Sequence, residues 1–589
     1  MKRRSLGPVC GCVFARLVSA WFFGVALTMV VKAGDASFIE YSIENLRISA
    51  VGAVCAFVVF SAADVFFCRG KLKTPPDFLI LFCSVFLLAC VSSYKFMSIF
   101  FAVGCFAAMV AVGALCFSEK RMRLPEISIG KKGSLLVLGI GAVLVTGFVA
   151  AVCIVRYRAY YAPTFDFGIF ANMFENMLST GLPNTTCERD GLLSHFAVHI
   201  SPVFYLLLPV YALCPRPETL LFIQAAAVVS GCVPVWLLAR KKLGSYSAAA
   251  VFALVYLLFP AFSCGAFFDF HENKLLAPLI LWALWFAEEK KRLPMYLFLL
   301  LTAMVKEDAP VYTAVIGAYL FFGKKERLHG GLVMLGSVAY FAGAVALLGK
   351  IGEGAQLWRY DNIASGSLGA IIGAVFVNPM RVVSECVGEE KIKFIFQMLF
   401  PLLGLPLVCK KPARYFLLIP FLLVNLMPDY VYQHDIGYQY TYGSGALLIY
   451  LAVVNWRDVR EFIRPRVWKI CAGAILTASL FSFMSSGARG GMYFKMARDE
   501  IHLVRSIDDA LSQIPEDAEV SASTMFVAHL ADRPVVYDYD DNARLSDYVA
   551  IDLRNRSNED WETQRRSLEA IGYREVVFYP GAAAVFVKN

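Results

Sequence analysis

Charge is scarce in this sequence. Of its 589 residues only 17% are Asp, Glu, Lys or Arg, and only 7 are His. Soluble chains carry about 25% charged residues and about 45–50% apolar ones. Here 58% are hydrophobic and the mean hydropathy is +0.61. No soluble surface could cover that excess, so the several soluble domains that the length would allow are excluded. Collagen, coiled coil and disorder fall with the same numbers. Two further absences narrow the chemistry. No Cys-x-x-Cys pair has a partner pair, so the 16 cysteines form no zinc or disulfide framework. Most sit singly inside apolar runs, such as Cys55, Cys153 and Cys232, where they act as small hydrophobes. No glycine-rich loop of the Walker or dinucleotide type occurs in the polar tail, residues 495–589, either.

What is present is a series of long apolar runs. A span needs about 20 apolar residues, with roughly 17 as a floor. Five candidates precede the first long polar loop: 12–31, 47–67, 76–93, 95–117 and 133–155. Ten follow it: 218–239, 246–264, 274–288, 293–305, 309–322, 328–348, 392–409, 414–428, 440–455 and 467–485. The first, behind Lys2-Arg3-Arg4, reads as an uncleaved span because no Ala-x-Ala-type site closes it. The stretch 201–214 is too short to cross and reads as interfacial or re-entrant. With the N-terminus cytoplasmic, the basic runs Lys120–Lys132, Arg240–Lys242, Lys290–Arg292, Lys324–Arg327, Lys410–Arg414 and Arg457–Lys469 all fall inside. The polar loops 156–200, 265–273, 349–390 and 428–440 then fall outside, with the turn Lys306–Pro310 and the tail. The net charge of +9 divides accordingly into −7 for residues 495–589 and +16 for the rest. It reports topology and no nucleic-acid partner.

The tail alternates. A helix is expected over 497–514, then strand 519–522, helix 525–530 and strands 534–539 and 548–553. Helix 559–571 and strands 575–579 and 584–587 close it. That order suggests a small α/β layer domain with an accessory or substrate-presenting role. The expected fold class is an α-helical polytopic membrane protein of about 14–15 spans with a small C-terminal α/β extramembrane domain. Its divisions are a four-span extension (1–130), a transmembrane core (131–490) and an extracytoplasmic domain (491–589).

Ionisable residues at membrane depth are costly and mark function by default. Asp166 stands among aromatics in Thr164–Phe170, ahead of Ile169, Phe170, Met173, Met177 and Leu178 at helical spacing. That pattern suggests an amphipathic helix on the outer surface; an ordinary helix N-cap is the plainer alternative. His195 and His199 are four apart, so on a helix they would share a face suited to a metal. Asp269, His271 and Glu272 crowd one short loop, able to meet a divalent cation, sugar hydroxyls or a phosphate. Lys306, Glu307 and Asp308 interrupt an apolar stretch before Pro310, as broken helices lining cavities do. Tyr430, Tyr432, Tyr438, Tyr440 and Tyr442 form either an aromatic belt or a headgroup platform.

Several of these segments together resemble the prokaryotic membrane proteins grouped as domain of unknown function 2079. They are Phe165–Phe170, His195–Pro202, Phe268–His271, Val305–Asp308, Tyr438–Tyr440, Val535–Tyr537 and Tyr548–Asp552, and the likeness covers about 133–589. That family is similar in plan to GT-C glycosyltransferases, which take a sugar from a polyprenyl-phosphate donor at the outer membrane face. The resemblance implies a GT-C-like core, with Asp166 and Asp269 in the places of the acids of the first and second external loops. Asp166 would act as base. Lys306, with Arg189 or His271, would face the lipid phosphate, and Glu272, Glu307, Asp308 and Tyr440 would bind substrate. A divalent cation is a candidate cofactor, although Asp166 lacks the second acid of a DxD-like pair. The implied partners are the polyprenyl-phosphate sugar donor, membrane lipid and a glycan, lipid or protein acceptor. The rival classes are a transporter or flippase of a lipid-linked or anionic solute, using the break at Lys306–Pro310, and a non-catalytic envelope scaffold.

Overall fold

The computed structural model describes residues 6–32, 45–67, 76–118, 128–189, 191–352, 354–461, 465–540 and 545–589. The basic run Lys2–Arg4 and most of the expected inside loop 120–132 lie outside these residues. Among those described, eight helices are long and apolar enough to cross a membrane: Cys12–Val31, Leu46–Phe66, Asp77–Phe96, Ile99–Cys116, Lys131–Arg158, Pro217–Leu243, Arg327–Ile351 and Ile470–Asp499. Two bent pairs, Tyr246–Leu257 with Pro260–Phe267 and Leu368–Val377 with Pro379–Glu385, raise the number to as many as ten. Other segments expected to cross are shorter helices, Arg292–Ala303, Pro310–Gly323 and Pro412–Leu426. Protein surrounds the centre of the bundle: in the helix Tyr442–Arg460 every residue from Tyr442 to Trp456 is buried.

Between helices in lipid there is little water to release, so close backbone approach and polar contacts do the fastening. Gly24 shows the first. A Cβ there would stand 2.5 Å from the Ser49 carbonyl oxygen, so only glycine lets the first two helices meet. Arg16 shows the second, donating to Asp64 at 2.9 Å and to Asp77 at 2.6 Å and so joining three helices. These N-terminal helices rest on the long helix Pro465–Asp499 through Phe86 and Phe481, and on Phe396 and Phe400 through Phe100 and Phe106.

The segment 201–214 forms a helix only over Phe204–Tyr211, which rises about 12 Å and cannot cross. The helix Ile169–Thr180 departs from expectation. It does not lie on the surface: Ile169, Phe170, Met173, Phe174 and Met177 are all buried, and only Leu178 of the expected apolar face is exposed. The reason is that it is enclosed from two sides: Phe170 and Phe174 pack on Phe204, Tyr211 and Phe270 of the bundle, while Asn172 donates to the tail carbonyls of Ala531 and Arg533 at 3.1 Å.

The tail is an α/β layer. Besides the short hairpin of β1 (Asn184–Thr185) and β2 (Leu193–Ser194), the described residues hold one five-stranded sheet. Its strands are β3 (Val520–Ala522), β4 (Val536–Asp538), β5 (Tyr548–Asp552), β6 (Tyr573–Tyr579) and β7 (Ala583–Lys588), in the order β4-β3-β5-β7-β6. β4, β3 and β5 run parallel, whereas β7 is antiparallel to β5 and β6. The helices Ile501–Ser512 and Asn558–Ala570 complete it, the second capped by Ser557, whose hydroxyl accepts the Asp560 N–H.

Candidate functional site

Three breaks in helical structure meet at the end of the bundle that carries the tail. The first follows the helix Lys131–Arg158, where Pro163 starts a turn that cannot continue it. Asp166 sits there with φ +70° and ψ −68°. A left-handed φ on a non-glycine residue costs roughly 1–3 kcal/mol and persists only where its surroundings impose it. The second break is Phe268–His271, extended chain held by its neighbours. Gln224 donates to the carbonyls of Ala266 and Phe268 and accepts the His271 N–H at 3.0 Å. Lys274 donates to the carbonyls of Phe268 and Asp269 at 2.9 and 2.6 Å. The third is Val305–Ala309, between the helix ending at Ala303 and the one that Pro310 begins.

The side chains of these breaks form a line that is buried at His271, Glu272 and Lys306 and 28% exposed at Asp166. His271 Nε2 lies 4.0 Å from Asp166 Oδ1. His271 Nδ1 faces the Asn273 N–H at 3.4 Å, and Nε2 is the ring nitrogen turned toward Asp166. Glu272 Oε2 stands 3.0 Å from that Nδ1, and Lys306 Nζ stands 3.4 Å from Oε1. Neither Glu272 oxygen has an aligned hydrogen bond, although the side chain is fully buried. Glu307 is better served, by His199 Nδ1–H at 2.9 Å and by the Ile200 N–H at 3.1 Å. Burial, reinforced by the charges of Asp269 and Glu272, pushes the Asp166 carboxyl up to about 7. Burial and the Lys306 charge hold His199 down at about 4, so it is neutral at physiological pH.

Lys306, Glu307 and Asp308 also form the polar end of a cavity of about 370 Å³. Its walls are apolar, from Val311, Val345, Ile371, Ile372, Leu423 and Met427 among others. Arg359 closes the polar end with Gln356 and Gln433. Its guanidinium lies 4.7 Å from the ring centre of Tyr430, 5.4 Å from Tyr440 and 5.7 Å from Trp358. Aromatic faces hold a cation in place without neutralising it, and Arg359 Nε is buried without a hydrogen-bond partner.

Residues 156–573 match the model of a family described as predicted membrane protein (DUF2079). The chain belongs to that family. No curated protein matches it. Among solved structures, it is similar to ArnT from Cupriavidus metallidurans bound to undecaprenyl phosphate, at 14% identity and a TM-score of 0.48, over 78% of this chain and 98% of that one. The same protein in the apo state gives 14% identity and 0.45, over 74% and 96%.

In this DUF2079 protein most of the residues singled out from the sequence converge. Asp166, His271, Glu272 and Lys306 form the line, Asp308 faces the cavity, and Tyr440 supports Arg359. Asp269 stands beside that line with its carboxylate already paired, and Arg189 does not join it. Asp269 is 1% exposed, and its carboxylate is taken by Arg156, which braces the last turn of the first core helix against the second break. Arg189 is exposed beyond β1 and bonds the Glu188 carbonyl of its own turn. The histidine pair also differs from expectation. His195–Ala197 is a tight turn of 3₁₀ helix, and the two rings are directed to separate acids. His195 Nδ1 lies 2.9 Å from Glu188, and His199 Nδ1 the same distance from Glu307. Among the described residues no three His, Cys, Asp or Glu side chains group as a metal site would require.

Arg156, Gln224, Lys274 and Arg359 were missed in the sequence. Arg156 carried a signal, a basic residue at the end of an apolar span that needs a buried acid. Arg359 carried none, because nothing in the residues around it sets it apart and only folding places it over the tyrosines.

Proposed function

We propose that this protein is a membrane glycosyltransferase of the GT-C type that moves a sugar from a polyprenyl-phosphate donor to an acceptor hydroxyl at the outer face of the membrane. The observation that carries this reading is one junction. An apolar cavity ends in Lys306 and Arg359, and the line Lys306–Glu272–His271 runs from there to the strained Asp166. The apolar walls suit a prenyl chain. The cations suit its phosphate, where charge-assisted bonds in a water-poor site are strong. Arg359 is the better placed of the two, since Lys306 already faces Glu272.

Asp166 is the acid suited to take a proton. Its raised carboxyl sits close to operating pH, where general-base catalysis is most efficient. In the reaction it accepts the proton of an acceptor hydroxyl, whose oxygen attacks the anomeric carbon with inversion. The bond from that carbon to the phosphate oxygen breaks, and the lipid phosphate leaves toward Lys306 and Arg359. His271, whose Nε2 lies 4.0 Å from Asp166 Oδ1, flanks the carboxylate and limits its orientation.

Purified protein in lipid nanodiscs, given radiolabelled polyprenyl-phosphate sugars and a panel of glycan, lipid and peptide acceptors, tests this. Release of free polyprenyl phosphate with label on an acceptor supports it. Passage of the labelled lipid across the bilayer with its sugar bond intact overturns it in favour of a flippase.

A further inference from the structure

We infer that the tail domain is the positioning device for Asp166: the crevice at the carboxyl ends of its parallel strands is filled by the protein's own loop 159–168, which it holds in a strained form. In α/β sheets that crevice, beside the strand where the order reverses, is where ligands bind. Here β3 lies between β4 and β5, and the residues just past the ends of the three strands reach the loop. Thr524, beyond β3, makes a reciprocal pair with Thr164. Its hydroxyl accepts the Thr164 N–H at 3.0 Å, and its carbonyl accepts the Thr164 hydroxyl at 3.1 Å. Asp540, beyond β4, fixes Thr524 by accepting its N–H at 2.9 Å. Arg554, beyond β5, is held by Asp552 and donates to the carbonyls of Ala159 and Tyr160 at 3.1 and 2.7 Å.

The aromatic contacts agree. The His529 ring lies between Tyr157 and Tyr160, at 4.1 and 3.9 Å between ring centres. Its Nε2 is 2.9 Å from the Tyr157 carbonyl oxygen, to which it donates. Two non-glycine residues of this short loop have a left-handed φ, Tyr160 at +59° and Asp166 at +70°. The tail grips the first directly. It grips the second through Thr164, and through Gly168, where a Cβ would stand 3.1 Å from Val527. A strained conformation persists only when its surroundings over-determine it, and these contacts supply that.

The inference rests on the glycosyl-transfer reading for the chemistry Asp166 performs, but the grip has its own readout. Carbodiimide with an amine labels a protonated carboxyl, and mass spectrometry of the Asp166 peptide across pH gives the midpoint. Asp269, Glu272, His271, Lys306 and Lys274 face Asp166 from the bundle, and Asp538 and Asp540 stand behind Thr164 and Thr524 in the tail. In the full-length wild type the midpoint is expected near the raised value of about 7. In T524V and, separately, R554M the loop relaxes toward water, and the midpoint is expected to fall by at least one pH unit. T524S, which keeps the hydroxyl, should restore it. Where transfer is measurable, kcat should fall at least tenfold in both variants with KM within twofold. A wild-type midpoint, or a wild-type kcat, in both T524V and R554M overturns the inference. A wild type that transfers no sugar removes the glycosyl-transfer reading alone, and the labelling midpoints still decide the grip.

Discussion

The two ends of the helix bundle each bury a glutamate among lysines, and they treat it differently. At one end Glu288 accepts from Lys242 and Lys324, and from the Tyr450 hydroxyl at 2.6 Å, which in turn meets Tyr319. Both of its oxygens are satisfied. At the other end Glu272 has His271 and Lys306 nearby, yet neither oxygen has an aligned hydrogen bond. His195 Nε2 and Arg359 Nε are also buried there without partners. A saturated ion cluster fastens helices, because breaking it strands a charge. A cluster with open hydrogen-bonding capacity and a strained neighbour is costly to hold and keeps places for a ligand. The difference fits one end to hold helices together and leaves the other with open capacity for the proposed reaction.

The sharpest way to break this contrast is to remove one acid from each end. Asp166→Asn should lower transfer by roughly 10²–10⁴-fold, the worth of a general base, with normal expression. Glu288→Gln should destabilise the protein by about 3–5 kcal/mol in thermal unfolding in detergent, with transfer per folded molecule unchanged. If the two variants exchanged these phenotypes, the assignment of the ends would be reversed.

A smaller effect probes the cavity. Arg359→Gln should weaken polyprenyl-phosphate binding by about 10–100-fold, the equivalent of the roughly 1.5–3 kcal/mol of a charge-assisted hydrogen bond. Binding of labelled lipid phosphate reads this directly, and an unchanged Kd would move the phosphate elsewhere.

pH sharpens the contrast further. A base must be ionised, so kcat should rise with pH through about 7 and then level. The sign for stability is opposite. The folded carboxyl titrates above its unfolded value, so stability is greatest in acid and falls as pH rises to about 7. Unfolding profiles of wild type and Asp166→Asn should therefore diverge over that window, with the variant the more stable at neutral pH. The smallest effect belongs to Tyr440→Phe. It keeps the aromatic face under Arg359, so donor binding should stay within about twofold, whereas Tyr440→Ala should weaken it several-fold, near the roughly 0.5–2 kcal/mol of a cation–π contact.

Much of the architecture was legible because its signals are local. Apolar runs marked most of the helices, and the tail's alternation placed all five sheet strands within two residues at either end. The candidate acids were legible because charge in an apolar setting stands out, as with Asp166 and Lys306. Two surroundings stayed hidden where partners come from far along the chain. The helix Ile169–Thr180 looked like a surface helix because its pattern is one-sided, and the sequence cannot show that residues near 530 help to enclose it. Asp269 stood out in its cluster with His271 and Glu272, but its ion pair with Arg156 was hidden because that partner lies 113 residues away.

The sequence by itself determined that this chain inhabits a membrane, that an α/β layer closes it, and which few charged residues demand explanation. Those are consequences of hydropathy and periodicity, which act over one or two helical turns. Tertiary structure alone decided which of those charges meet. It sent Asp269 to a brace, drew Arg359 onto the tyrosines at the cavity's end, and bent the backbone at Asp166 under the grip of the tail. Such pairings depend on contacts between residues from 71 to about 360 positions apart, and no local pattern encodes them.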